Sequence, residues 1–216
     1  MKKIIIPITT SLFAAAAALA ADITLSESTQ LAVNRTDTNY IVDKDNITIT
    51  HSNNNGARHP TNTVIFQLGS HKGITLTSKD VIPEANNNLP FFGLCGIQFA
   101  GDGASVSDIT LSPTEGATPI AIMGNNNSTN KDYTTAFTVD NTTFNYNMGE
   151  NSVLTGRANV RVINGGVLNW NTSLAKQWDS TNKVYLTGDS KIYGIKFSAD
   201  TAGNGTVNLG KASAET

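Results

Sequence analysis

The histidines and the single cysteine are the residues of this chain best suited to metal binding or nucleophilic chemistry. His51, His59 and His71 are separated by 8 and 12 residues, which matches no helical zinc motif, and no group of cysteines accompanies them. Cys95 has apolar neighbours and no histidine within twenty positions, which favours a small buried side chain over a reactive thiolate. We therefore predict no catalytic, cofactor-binding or metal-binding site from these residues.

Acidic residues offer two other kinds of site. Asp43 and Asp45 stand in a D-K-D segment that would suit a calcium site, but the glycine and the glutamate spacing of a calcium loop are missing. Asp102 would have to meet Asp132 or Asp140 across neighbouring turns of the chain to form the acid/base pair of a carbohydrate-cleaving enzyme. Turn formation is the expected role of these acids, and we predict no bound cofactor.

Four aromatic residues are concentrated in the last quarter of the chain: Trp170, Trp178, Tyr185 and Tyr193. If they share an exposed face, their rings could stack on sugars, because a flat apolar surface with a polar edge suits that role. They are the candidate ligand contacts. The alternative is that they close the end of the core or pack against a loop.

The composition restricts the possible folds and partners. Charged residues make up 15%, aromatic residues 7% and hydrophobic residues 39% of the chain, while Asn, Thr, Ser and Gly together account for 87 of 216 residues. Coiled coils and helical bundles need sequences rich in Ala, Leu, Glu and Lys, and nucleic-acid binding needs a basic surface, whereas the net charge here is −2. The regular recurrence of Val, Ile, Leu and Phe argues against disorder.

Residues 1–20 have the pattern of a secretory signal peptide. Two lysines precede an apolar run that ends with small residues at Ala18 and Ala20, which places the cleavage after Ala20. A membrane anchor is the alternative, but the apolar run is interrupted by hydroxyl residues and is shorter than the roughly 20 residues that span a bilayer. No later segment is apolar enough to span a membrane as a helix. We predict a single exported domain, 21–216, located at the outer surface, outside the cell or in the periplasm.

Short segments in which apolar residues alternate with Thr, Asn or Ser predict β-strands. Apolar segments recur 23 to 27 residues apart in two series, and self-similarity at this period indicates stacked units. We therefore predict an all-β fold, a right-handed parallel β-helix (solenoid) of about eight coils. The alternative is an antiparallel β-sandwich, which also gives short strands with frequent turns. The first series starts at residues 23, 47, 74, 97 and 120, and the second at 137, 160, 184 and 207.

The strongest internal similarity is a repeated doublet of apolar residues. Phe137 and Phe144 are seven residues apart, and so are Val160 and Val167 one period later. Asparagine triplets are predicted to form corners or longer loops, because Asn tolerates the left-handed backbone conformation and hydrogen-bonds its own backbone. These triplets are 53–55, 86–88 and 125–127.

Two segments of the second half resemble repeats of known proteins. Val162–Asn169 (VINGGVLN) resembles the N-G-G-x-L turns of bacterial autotransporter and haemagglutinin-type passenger proteins, and Gly203–Gly210 (GNGTVNLG) is similar to their G-x-G-T-x-x-L coils. The resemblance covers Phe137 to Gly210, whereas the first half shares only composition. It implies a surface-exposed or released β-helical protein of a Gram-negative bacterium, often an adhesin. The membrane barrel of such proteins has no counterpart here, which leaves open a fragment, a degraded member or a free-standing secreted protein.

Together these features predict an exported, non-catalytic protein that is adhesin-like or structural. It would contact a host or matrix glycan, or a surface protein, through many weak interactions along its coils. Two other classes stay open: a polysaccharide lyase or glycoside hydrolase on the same scaffold, and a fimbrial-type subunit that assembles by strand exchange. The sequence does not specify the ligand, the oligomeric state or the functional face.

Overall fold

The computed structural model of the chain describes thirteen segments. Ala18, Ala20, His59, Cys95 and Tyr193 lie outside them, as do the three asparagine triplets. The described residues are 21–31, 38–51, 64–78, 92–94, 96–102, 108–111, 120–124, 132–147, 153–171, 176–179, 184–186, 194–199 and 204–210.

The described residues form strands wherever apolar and polar residues alternate, since successive side chains of a strand point to opposite faces. In the strand Val64–Gly69, for example, buried residues alternate with more exposed ones from Val64 to Leu68. In chain order the strands are β1 (Ala21–Leu25), β2 (Thr29–Leu31), β3 (Thr38–Val42), β4 (Thr48–His51), β5 (Val64–Gly69), β6 (Ile74–Ser78), β7 (Phe92–Leu94), β8 (Ile97–Gly101), β9 (Asp108–Leu111), β10 (Ile120–Met123), β11 (Thr134–Asp140), β12 (Thr143–Tyr146), β13 (Val153–Thr155), β14 (Ala158–Ile163), β15 (Val167–Trp170), β16 (Lys176–Asp179), β17 (Val184–Leu186), β18 (Ile195–Ser198) and β19 (Thr206–Leu209).

These strands form three sheets. Sheet 1 has the order β1-β3-β5-β8-β11-β14-β18, sheet 2 the order β2-β4-β6-β9-β12-β15-β19, and sheet 3 the order β7-β10-β13-β16-β17. Hydrogen-bonded neighbours run parallel in all three sheets, apart from β16 and β17, which are antiparallel. A strand order that skips along the sequence in every sheet means that the chain leaves each sheet and returns one position further on.

The path of the chain is that of a parallel β-helix. From β8 to β16 it visits sheets 1, 2 and 3 in turn, three times over, and each new strand pairs with the strand one coil earlier. The prediction of an all-β parallel solenoid is confirmed, and the alternative of an antiparallel sandwich is wrong. The described residues pass through sheet 1 seven times, against the roughly eight coils expected from a 23-residue period.

The coils differ in length, so the constant period of about 23 residues is wrong for most of the chain. In one column of sheet 1, Thr38 pairs with Val64, Val64 with Ile97, Ile97 with Phe137 and Phe137 with Val160. Successive coils therefore take 26, 33, 40 and 23 residues. The physical reason is that only the strands and corners must repeat for side chains to stack, while the loops that join them are free to vary.

The doublet of apolar residues reflects real coil-on-coil pairing. Phe137 pairs with Val160 in sheet 1, as the spacing predicts. Phe144 pairs in sheet 2 with Leu168, one residue beyond the expected Val167. The shift is one residue because the corner between the two sheets is one residue longer in the later coil.

The core is a column of side chains between the sheets, and aromatic rings run through much of it. Tyr40, Phe66 and Phe99 follow one another in sheet 1, with ring centroids 4.9 and 5.6 Å apart and nearly parallel planes. Phe144 contacts Phe99 from sheet 2 at 4.6 Å, so the two sheets share the same interior. All four rings are buried. Offset stacking of such rings adds to the hydrophobic stabilisation of the coils.

The corner between sheets 1 and 2 depends on residues with a positive φ. Asn46, Asn141 and Asn164 have φ of 56°, 54° and 53°, a region that asparagine tolerates better than most residues. Gly73 (φ 70°) lies directly beside Asn46 in the next coil, where a Cβ atom would overlap the Asn46 amide. Asparagine therefore occupies left-handed corner positions in the described residues, whereas the predicted triplets lie outside them and their role stays a prediction.

We expect Phe99→Ala to lower the free energy of unfolding by about 3–5 kcal/mol, because the ring is fully buried and removing it leaves a cavity. Equilibrium urea denaturation measures the effect. Tyr133→Ala is the matched control, since Tyr133 is 45% exposed and its loss is expected to cost less than about 1 kcal/mol. Equal losses for the two variants would contradict the assignment of the core.

Candidate binding surface

The outward side chains of sheet 2 form a ladder of asparagines. Asn169 donates from Nδ2 to Oδ1 of Asn145 at 2.7 Å, and Asn208 donates from Nδ2 to Oδ1 of Asn169 at 2.8 Å. We call these three residues the amide ladder. Each amide still has a second N–H, so the ladder presents a row of donors to solvent. The same column continues through earlier coils by register, at Thr110, Thr75 and Thr48.

A separate pair of asparagines lies beside the amide ladder, directly after strands β12 and β15. Asn171 donates from Nδ2 to Oδ1 of Asn147 at 2.7 Å, and both side chains are exposed. The donor belongs to the later coil, as it does in the amide ladder. The outer face of sheet 2 is therefore a polar strip whose side chains are held by bonds between coils.

Sheet 1 has polar bonds between coils as well. Asn39 donates to Asp22 Oδ1 at 2.9 Å near the start of the stack. Ser198 donates from Oγ to Asn159 Oδ1 at 2.9 Å near its end. Because neighbouring coils bring outward side chains of the same or adjacent columns into hydrogen-bond range, this outer face is also preorganised rather than free to reorder.

Asp140 is engaged by both neighbouring coils. Gln98 donates from Nε2 to Asp140 Oδ2 at 2.7 Å, and Asn164 donates from Nδ2 to Asp140 Oδ1 at 2.6 Å. Both carboxylate oxygens therefore accept amide hydrogen bonds, which is a structural role. Asp102, its proposed partner in an acid/base pair, is exposed, and so is Asp132, the alternative partner of Asp102.

The D-K-D segment lies at the corner between sheets 1 and 2, where its two acids bind different coils. Asp43 Oδ2 accepts a hydrogen bond from Ser26 Oγ of the preceding coil at 2.9 Å. Asp45 Oδ1 accepts from the backbone N–H of Lys72, in the following coil, at 3.1 Å and lies 3.0 Å from Nδ1 of His71. The two carboxylates therefore hold neighbouring coils instead of converging on one cation.

The pKa of Asp45 is lowered from its ordinary value of 3.8. The main cause is the hydrogen bond from the Lys72 backbone, followed by the hydrogen bond with His71. Both donors favour the charged carboxylate. His71 thus lies beside Asp45 at this corner and contributes to the bonds between coils.

The four candidate aromatic residues do not form one exposed face in the described residues. Trp170 is only 6% exposed and stacks on Tyr146, with ring centroids 4.3 Å apart, so it belongs to the core rather than to a ligand platform. Its ring is inward because it lies two residues after the buried Leu168 on one strand. Trp178 and Tyr185 are register partners in the antiparallel pair β16–β17.

The two remaining histidines are His51 and His59, and His59 lies outside the described residues. His51 is in β4, where its backbone pairs with Leu31 and Ser78. Across the described segments, no three His, Cys, Asp or Glu side chains come together as metal ligands would. The same segments hold no helix of the length and apolarity that a membrane crossing needs.

The amide ladder is a feature that the sequence interpretation missed, although a local signal existed. Asn145, Asn169 and Asn208 each stand between two apolar residues, in F-N-Y, L-N-W and V-N-L. An asparagine flanked in this way on a strand must point outward when its neighbours point inward. The signal becomes a ladder only once the register is known, because the three asparagines are 24 and 39 residues apart.

Comparison with known proteins gives no match: neither a family model nor a curated protein nor a solved structure matches this chain. The resemblance to autotransporter-type passenger repeats therefore stays a prediction.

We expect Asn169→Ala to destabilise the chain about twice as much as Asn208→Ala. Asn169 takes part in two ladder hydrogen bonds and Asn208 in one, and each is worth roughly 0.5–1.5 kcal/mol. Urea denaturation of both variants measures the ratio. Equal losses would mean that the ladder bonds do not contribute separately.

The stabilising effect of Asp45 is expected to depend on pH. Because its folded pKa lies below the unfolded value of 3.8, the contribution is present above that value and is lost as the pH falls through the folded pKa. The difference in unfolding free energy between the native chain and Asp45→Asn should therefore shrink on acidification. His71→Gln, which keeps the Lys72 hydrogen bond, should retain part of this dependence. A difference that is constant with pH would contradict the assignment.

Proposed function

We propose that this chain is an exported, non-catalytic β-helix protein that acts at a bacterial surface or outside the cell, with an adhesin-like or structural role. The observation that carries the proposal is the pair of long polar faces on sheets 1 and 2, whose side chains are fixed by hydrogen bonds between coils. A surface of this kind suits a partner that is itself long and polar, such as a glycan or an extended surface protein.

The preorganisation of these side chains favours binding through many weak contacts. A free asparagine loses rotamer freedom when a ligand orders it, at a cost of about 0.5–1.5 kcal/mol for each immobilised side chain. In the amide ladder the bonds between coils already order these side chains before a ligand binds, so most of that entropy loss does not occur on binding. A ligand laid along the sheet can then use the remaining donors with little further ordering.

Export is proposed on the pattern of residues 1–20. Strand β1 begins at Ala21, so cleavage after Ala20 would leave all the described strands intact. The chain has one cysteine and can form no disulfide within itself, so stability outside the cytoplasm would come from packing. The stacked aromatic core supplies such packing.

A binding experiment with one altered face at a time tests the function. Binding to arrays of glycans and matrix proteins should fall about two- to fivefold for each of Thr48→Lys, Thr75→Lys and Asn145→Lys if sheet 2 is the face used, since each removes about 0.4–1 kcal/mol. The triple variant should lose at least the product of the Thr75→Lys and Asn145→Lys effects, because Asn145 lies two coils beyond Thr75. Thr48 and Thr75 are register neighbours, so their two effects are not expected to be independent.

The matched control is a triple variant of the other face, in Asn39, Gln67 and Arg161 of sheet 1, which should bind like the native chain. If sheet 1 is the face used, the sheet 1 triple variant should lose binding and the sheet 2 variants should bind like the native chain. A folded chain that binds nothing at high concentration would contradict the adhesin-like role. A single substitution that abolishes binding would contradict the extended mode of contact.

A further inference from the structure

The two ends of the stack differ in polarity. At the first coil, Thr29 pairs with the buried Ile49, and the exposed Glu27 precedes Thr29 by two residues, as the buried Ile47 precedes Ile49. Polar residues thus replace apolar ones on the sheet 2 side of the first coil, whereas Ile23 and Leu25 keep its sheet 1 columns apolar. At the other end, Leu209 is 67% exposed.

In the described residues, β19 is the strand at one edge of sheet 2, and it continues two inward columns of that sheet. Leu209 pairs with Trp170 and Val207 with Leu168, so both continue columns that are buried one coil earlier. Nothing in the described residues pairs with the outer edge of β19, which ends the order of sheet 2. An open edge with apolar side chains favours pairing with another strand.

Within the described part of the chain, the backbone of β19 leaves a defined set of groups unpaired. The N–H groups of Thr206 and Gly210 donate to carbonyls of the preceding coil, at 3.0 and 2.8 Å. Because backbone groups alternate in direction along a strand, those of Val207 and Leu209 point away from the sheet. Two N–H and two C=O groups are therefore ready to bond a new neighbour.

We propose that this neighbour is a second copy of the chain, paired through its own β19 in antiparallel orientation about a two-fold axis at Asn208. In this register Val207 lies opposite the partner's Leu209, and Leu209 opposite the partner's Val207. These residues carry the unpaired backbone groups, so the register is a hydrogen-bonded one and forms four bonds. The same register covers the exposed Leu209 side chain on both copies.

The side chain of Asn208 fits the two-fold axis. Its Nδ2 donates one proton to Asn169 Oδ1, while its Oδ1 accepts no hydrogen bond in the described residues. Residues opposite each other in a non-hydrogen-bonded antiparallel pair lie about 4.5 Å apart at Cα. The second N–H of each Asn208 can then donate to Oδ1 of the other, and the amide ladder runs on without interruption into the partner.

Head-to-tail stacking is a poorer match for the same edge. It would set the first coil of the next copy, with Glu27 and Thr29, against Val207 and Leu209. A carboxylate buried there without a partner costs free energy, whereas the two-fold arrangement buries apolar groups against each other. The closed two-fold arrangement also ends at two copies, as isologous contacts do, and joins the polar strips of two sheet 2 faces.

Sedimentation velocity on the full chain tests the association. We expect a concentration-dependent dimer. Leu209→Lys should raise the dissociation constant of this dimer at least tenfold without changing the circular dichroism spectrum. Tyr133→Lys alters another large hydrophobic side chain that is exposed among the described residues, and this variant serves as the control, with an unchanged dissociation constant. A monomer at every concentration, or species that grow beyond a dimer, would overturn the proposal.

A cysteine at the axis tests the register. Asn208→Cys, in a chain with Cys95→Ser, should form a disulfide-linked dimer under mild oxidation, because a Cα separation of about 4.5 Å lies within the range of disulfides. Thr24→Cys in the same background places an exposed thiol in β1 and should give no such dimer. Equal cross-linking of both variants, or cross-linking only when the two are mixed, would show a different contact.

Discussion

Stacking of each coil on the one before it is the interaction on which the whole structure depends. A single coil has only a few inward side chains and cannot enclose them, so it gains a core only by lying on its neighbours. The rings of Tyr40, Phe66 and Phe99 show the principle, since each is buried by the coils on either side. The parallel backbone bonds, the corners and the outer ladders all keep these columns aligned.

The corners show how this alignment is maintained where the chain turns. Asn46, Asn141 and Asn164 adopt the left-handed conformation between sheets 1 and 2, and Gly73 has no side chain because it lies against Asn46. Asp45 then ties its corner to the backbone of Lys72 in the following coil. Corner residues therefore set both the direction of the chain and the spacing between coils.

The strands could be predicted from the sequence, but the sheet to which each belongs could not. The triplets beginning at Ile47 and Ile74 alternate between buried and partly exposed residues as expected, and both lie in sheet 2. The similar triplet beginning at Ile23 is part of sheet 1. All faces of a solenoid require the same alternation of inward and outward residues, so this pattern does not show to which sheet a strand belongs. A constant coil length would allow each strand to be assigned to a sheet from its distance along the chain, but the loops vary in length. The alternation does indicate which side chains point inward. Trp170 is an example, because its spacing of two residues from Leu168 already indicated an inward ring.

The direction of the outer amide bonds has a consequence for how the solenoid tolerates shortening. In the amide ladder and in the Asn147–Asn171 pair, the later coil donates to the earlier one. Loss of coils from the carboxyl-terminal end leaves side-chain carbonyl oxygens in the amide ladder, which water can satisfy, and it uncovers apolar columns such as that of Leu168 and Trp170. Loss from the amino-terminal end leaves side-chain N–H donors instead, and it uncovers apolar columns in the same way. The two ends of a shortened solenoid therefore differ in the hydrogen-bonding groups that the amide ladder exposes, and not in the burial of their cores.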